Sequence, residues 1–150
     1  MTLRMNNEPR VGVVVVTHER AGECLVAAVC GIVGQVPQLG AVDVSLGDEF
    51  AAIVGRISRA CEEVDAGAGV LILVDVHGST PFHASMSMLD GTRAAEVLCG
   101  VNLPMLIKMA TLDRRLGAPV ALAEELREAG RRSIRLGSEL TGKVAVGEPR

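Results

Sequence analysis

The sequence predicts an α/β domain: a three-layer sandwich with helices on both faces of a mainly parallel four-stranded sheet. Two observations carry this expectation. Residues 11–16 and 70–74 are unbroken aliphatic runs, the pattern of parallel strands covered on both sides. Around them, apolar residues recur at i, i+3 and i+4, so strands alternate with helices along the chain. Right-handed crossovers then distribute the helices over both faces. The 150 residues suit a single domain with a real core.

Taken in order, residues 1–10 are polar and expected to fray. The first strand, 11–16, feeds a helix over about 21–33. Leu25, Ala28, Val29 and Ile32 are expected on its buried face, and Gly34 supplies the stop. A turn at 37–40 leads to a short strand, 42–46. Asp48 is expected to cap a helix over 49–64 with Phe50, Ile53, Val54, Ile57 and Cys61 as its apolar stripe. A Gly/Ala loop, 66–69, precedes the third strand, 70–74. Thr80 is expected to cap the next helix through its hydroxyl, with Pro81 at the first helical position. That helix is expected to end near Gly91 and to carry Phe82, Met86 and Leu89 on one face. A fourth strand spans 96–101, and a helix begins at Leu103-Pro104 and runs to about Arg114. Gly117-Ala118-Pro119 breaks the chain before a longer helix to about Leu136. The tail, 141–150, holds one short strand candidate at 143–146.

Composition excludes several functions. Hydrophobic residues make up 49% of the chain, yet the only aromatics are Phe50 and Phe82, so the core is aliphatic. The net charge of −3, the pI near 5.6 and the lack of a basic run argue against a nucleic-acid partner. No apolar run approaches the roughly 18 residues that span a membrane. The N-terminus has no apolar signal region. A cytoplasmic protein without direct membrane insertion is expected. Cys24, Cys30, Cys61 and Cys99 have no metal or CxxC spacing and are expected as reduced, mostly buried thiols. No cofactor is expected.

The chemistry concentrates at two strand ends. The first run ends in Thr17-His18, and the third ends in Asp75 followed by the loop 76–79. Neighbouring parallel strands would place His18 and Asp75 at the same carboxyl edge, where open α/β sheets form crevices. A carboxylate holding Nδ1–H fixes the imidazole tautomer, leaves Nε2 as the nucleophile and stabilises the cation that follows reaction. No G-x-S-x-G serine elbow is present, which leaves the imidazole itself as nucleophile. A phosphoryl group on His18 would meet backbone N–H groups and the hydroxyls of Ser79 and Thr80 at the helix start. No P-loop marks ATP as the donor. His77 and His83 are either partly exposed polar residues or phosphate and partner contacts. With His18 and Asp75 they also form a weaker candidate metal set, although no ligand pair has a known metal spacing.

Three stretches, VGVVVVTH, GVLILVDVHGSTPFHAS and EVLCGVNLPMLIKM, resemble the enzyme IIA domains of the mannose/fructose/sorbose family of the bacterial sugar phosphotransferase system. Their order and spacing fit from Val11 to Leu136. The resemblance implies a four-stranded parallel sheet of order 2-1-3-4, with an antiparallel edge strand exchanged in a homodimer. It also implies that His18 accepts a phosphoryl group from the phosphocarrier HPr and passes it to an enzyme IIB. Asp75 would orient His18, and Gly78, Ser79 and Thr80 would bind phosphate. The family usually has Gly where Glu19 stands, Gly-Ser where Ser79-Thr80 stand, and Asn where His83 stands. The sequence shows no IIB region and no membrane domain, so action on separate partners is expected. The competing expectations are a regulatory module whose His18 phosphorylation switches a protein contact, and a metal-dependent hydrolase.

Overall fold

A computed structural model describes residues 9–115, 117–143 and 147. Among these, β1 (Gly12–His18), β2 (Leu39–Val44), β3 (Val70–Val74) and β4 (Ala95–Cys99) form one sheet in the order β2-β1-β3-β4. Every pairing is parallel, with Val16 opposite Val42 on one side and Val74 on the other. The helices are α1 (Ala21–Val33), α2 (Phe50–Val64), α3 (Thr80–Met86), α4 (Leu103–Thr111), α5 (Pro119–Arg132) and α6 (Gly137–Thr141).

Strand alternation divides the core in two. Val13, Val15, Leu71 and Leu73 point to one face and pack on Val29 of α1, Leu106 of α4 and Leu126 of α5. Val14, Val16, Ile72 and Val74 point to the other and pack on Ile53, Ile57 and Cys61 of α2 and Ala84 of α3. Thus β1 and β3 are apolar at both parities because both faces are covered. The expected three-layer fold and strand order are those observed. At Gly12 a Cβ would lie 2.4 Å from the Val64 carbonyl oxygen, so this close approach of β1 to the end of α2 requires glycine.

Several local expectations need correction. The α1 face that meets the sheet is Gly22, Leu25, Val26, Val29 and Cys30, while Ala28 is exposed and Ile32 is 59% exposed. Phe50 opens α2 at its solvent end and is 48% exposed. Asp48 does not cap α2. Its Oδ2 accepts from the Ser45 backbone N–H (2.9 Å) and from Arg56 Nη2 (2.7 Å), and Glu49 occupies the cap position without a side-chain bond. Helix α3 is capped by Ser79, with Thr80 as its first residue, and it ends at Met86 instead of near Gly91. Its buried residues are Pro81, Ala84 and Ser85, whereas Met86 and Leu89 are exposed. Strand β2 begins at Leu39, inside the expected turn, and α4 stops at Thr111. Helix α5 ends at Arg132, and the short α6 follows where no helix was expected. All four cysteines are free, but only Cys61 is buried and Cys24 is exposed. Burial pushes the Cys61 thiol up to about 11. Of the tail-strand candidate, only Lys143 is described, and it lies in no regular element; residues 144–146 lie outside the described residues.

At the amino edge of the sheet, Arg114 is buried and its guanidinium donates to the carbonyls of Val11 (2.8 Å), Gln38 (3.3 Å) and Pro37. It ties the α4–α5 loop to the entries of β1 and β2. Burial lowers its pKa to about 10, which still leaves the cation charged near neutrality. Arg114→Met should strip these carbonyls of their donor and destabilise the fold by about 2–4 kcal/mol. Urea unfolding would measure the loss.

Candidate functional site at the carboxyl edge

The site forms where β1 and β3 end side by side. The last register pair is Val16 with Val74. Beyond it, the Asp75 carboxylate crosses the gap to His18. Its Oδ2 accepts from the His18 backbone N–H (2.9 Å) and lies 2.9 Å from His18 Nδ1. Its Oδ1 accepts from the Val76 backbone N–H (2.9 Å). Burial pushes the Asp75 carboxyl up, but the bonds from the His18 backbone and ring, the His18 charge and the Val76 N–H outweigh it. The net result holds Asp75 below the usual carboxylate range. An ionised carboxylate has no hydrogen to give. Nδ1 must therefore carry the proton in this contact, and Nε2 keeps the lone pair. The His18 side chain is half exposed and that of Asp75 one-fifth exposed.

The turns around the pair are fixed locally. Thr17 is fully buried, and its Oγ1 accepts from the Gly22 N–H (2.6 Å), which pins the start of α1 to the end of β1. After Asp75, the chain reverses through Gly78 at φ 78°, a conformation that glycine adopts without a steric penalty. The Ser79 hydroxyl donates to the Val76 carbonyl (2.6 Å) and accepts from the Phe82 N–H (3.4 Å). Ser79 therefore holds the turn and caps α3, while Gly78 and Thr80 are exposed. His77 and His83 both pack edge-on against Phe82, with ring centroids 5.0 and 5.2 Å away.

The structure thus brings His18 and Asp75 into direct contact and sets Gly78, Ser79 and Thr80 in the turn that follows Asp75. His77 and His83 are drawn to Phe82. Among the described residues, no group of three or more His, Cys, Asp or Glu is placed to hold a metal ion. Three surface cavities of about 440, 530 and 440 Å³ are lined by other parts of the chain, around Arg114, Leu122 and Asp43. Neither His18 nor Asp75 lines any of them, so size does not mark this site and the chemistry does. Sequence reasoning missed the double grip of Asp75 on His18, since a backbone acceptor role leaves no trace in residue type. It also missed the bonds that Glu19 makes to the loop after β2. No described helix is long and apolar enough to cross a membrane.

The parallel four-stranded α/β fold is that of phosphotransferase-system IIA proteins, and comparison of the sequence with known proteins shows the family. The family model for the PTS system fructose IIA component, EIIA-man, matches residues 12–125. The chain belongs to this family, as a IIA component of the mannose/fructose type. The mannose-specific EIIAB component of Escherichia coli (strain K12) is 30% identical over 130 residues, which cover 83% of this chain and 40% of that protein. The chain therefore spans less than half the length of that relative. The sorbose-specific EIIA component of Lacticaseibacillus casei is 30% identical over 98 residues, covering 65% of this chain and 70% of that one. A phosphotransferase system component EIIA from Streptococcus agalactiae has the same fold, with a TM-score of 0.76 and 20% identity over 86% of this chain and 98% of that one.

The depressed Asp75 pKa sets a pH dependence. A carboxyl with a lowered folded-state pKa stabilises the fold fully above its unfolded value, near pH 4, and loses that contribution as pH falls through the folded value. Asp75→Asn should therefore be less stable than the parent near neutrality, and the gap should close in acid. Urea unfolding between about pH 3 and pH 7 would follow it.

Proposed function

We propose that the protein is a histidine phosphocarrier: His18 Nε2 accepts a phosphoryl group from phospho-HPr and passes it to an enzyme IIB partner. The observation that carries this reading is the 2.9 Å contact between His18 Nδ1 and Asp75 Oδ2, with the ring half open to solvent. In the step, the Nε2 lone pair attacks phosphorus, the donor's P–N bond breaks, and a new P–N bond forms on His18. No proton needs to leave: Nδ1 keeps its proton and donates it to Asp75, whose carboxylate offsets the positive charge that develops on the ring. Gly78 keeps the turn open beside the incoming group. Thr80 offers an exposed hydroxyl to phosphate oxygens, while the N–H groups of Ser79, Phe82 and His83 are taken within the turn. Donation to IIB reverses the same geometry. On this reading the protein works in the cytoplasm with its donor.

Incubation with phosphoenolpyruvate, enzyme I and HPr should add one phosphoryl group by intact mass, labile in acid and stable in base. His18→Ala should abolish it, whereas His77→Ala and His83→Ala should still be labelled; label surviving His18→Ala would sink the assignment. Asp75→Asn should fold and be labelled orders of magnitude more slowly, bounded by the ~10⁴ loss of a comparable Asp→Asn change in a serine protease triad. Transfer onward to a IIB and then to sugar separates a transport role from a regulatory one, in which label accumulates without a competent acceptor.

The reading includes a homodimer. Strand β4 is one of the two outer strands of the sheet, and all five of its residues are only half-buried, leaving an edge that calls for cover. Beyond α5, Ile134 and Leu136 are 80% and 65% exposed, two residues apart in a segment without helix or strand pairing. Deletion of residues 141–150 should abolish the dimer if the exchanged strand lies at 143–146. A truncated protein that stays a tight dimer by light scattering would move that strand to residues 133–136.

A further inference from the structure

Among the described residues, Glu19 and Gln38 are the two non-glycine residues with positive φ, at 47° and 53°. A side chain in this region is strained and persists only where its surroundings hold it. Gln38 has an evident anchor, since its amide donates to the carbonyls of Arg10 and Val64. Glu19 directly follows His18, and its anchor lies at the exit of β2, on the side of β1 away from Asp75. Its Oε2 accepts from the Ser45 hydroxyl (3.1 Å), its Oε1 accepts from the Leu46 N–H (3.3 Å), and its own N–H donates to the Val44 carbonyl (2.9 Å). The loop it grips is held from the other end as well, because Asp48 takes the Ser45 N–H and the Arg56 guanidinium. The residue this double hold presents is Leu46, which is 100% exposed.

A single exposed leucine needs no explanation. A leucine whose loop is pinned by a strained carboxylate next to the candidate phosphoacceptor does. Register places it at the same edge, since His18 pairs with Val44, two residues before Leu46. The grip also directs the Glu19 carboxylate to Ser45 and Leu46, which spends its charge on the loop in place of an incoming phosphate.

We propose that Glu19 is a positioning residue that fixes Leu46 beside His18 as a contact for the protein phosphodonor, and so tunes donor recognition instead of the phosphoryl chemistry. This rests on the phosphocarrier reading above. A protein donor approaching Nε2 must cover the surface around His18, whereas a small donor reaches the nitrogen without touching the loop.

The test compares two donors on the full chain: phospho-HPr and the small chemical donor phosphoramidate. Glu19→Gly should fold well, because glycine takes φ near 47° without strain. It should raise the KM for phospho-HPr roughly 5- to 10-fold, the scale of one lost interface contact, with kcat and the phosphoramidate rate unchanged. Glu19→Gln keeps one acceptor oxygen and should restore most of the KM. Leu46→Ala should raise KM similarly, and the Glu19→Gly/Leu46→Ala pair should be less than additive. An unchanged KM with normal labelling, additive effects, or an equal change with phosphoramidate would overturn the inference alone. Failure of both donors to label His18 in the parent protein would overturn the phosphocarrier reading and this inference with it.

Discussion

The parallel pairing of β1 and β3, buried on both faces, is the constraint on which the rest depends. It fixes the two strand exits at one height, so a carboxylate one residue past β3 can reach the last residue of β1. Asp75 then bonds to the His18 main chain and ring through the same oxygen. The backbone bond is what makes the ring bond well defined. A carboxylate held only by an imidazole on a half-exposed edge would share its time with water. Anchored to the main chain, it presents one oxygen to Nδ1 in a fixed direction, which is how an orienting group selects a tautomer.

The two edges of the sheet are built differently. At the amino edge, Arg114 buries its charge among backbone carbonyls and closes the base of the fold. At the carboxyl edge the polar groups stay part-exposed, and the bonds run between loops. The unusual backbone of the site gathers there too, with Glu19 at φ 47° and Gly78 at φ 78°.

Most of the fold was legible because its signals are strong and local. Two aliphatic runs, each ending in a polar residue, gave the central strands; helical spacing gave α1 and α2, and the Leu103-Pro104 start gave α4. The placement of His18 opposite Asp75 followed from topology alone. What the sequence hid depends on partners distant in the chain. Ser79 and Thr80 are equally good caps by type, and Ser79 wins because its hydroxyl can also reach the Val76 carbonyl. Asp48 reads as a cap until Arg56, two turns along α2, is seen to claim it. Ile32 and Phe50 obey the apolar period but sit at helix ends that overshoot the sheet, so pattern and burial part company. Glu19 reads as a carboxylate misplaced beside a phosphate site, and only the position of Ser45 and Leu46 shows where its charge goes.

The openness of the site also bears on the kind of chemistry it suits. An enzyme that transforms a small molecule commonly encloses it in a concave pocket that excludes water. Here the cavities described lie elsewhere, and His18 stands at a strand end with its side chain half exposed. Such a histidine is poorly built to recognise a small substrate by itself. It is well built to meet a second protein that brings both the reacting group and the walls of the site. On the phosphocarrier reading, specificity then lies in the rim around His18 and not in the His18–Asp75 pair. By resemblance, Glu19, Ser79-Thr80 and His83 are the positions around the pair at which this chain departs from the usual family pattern.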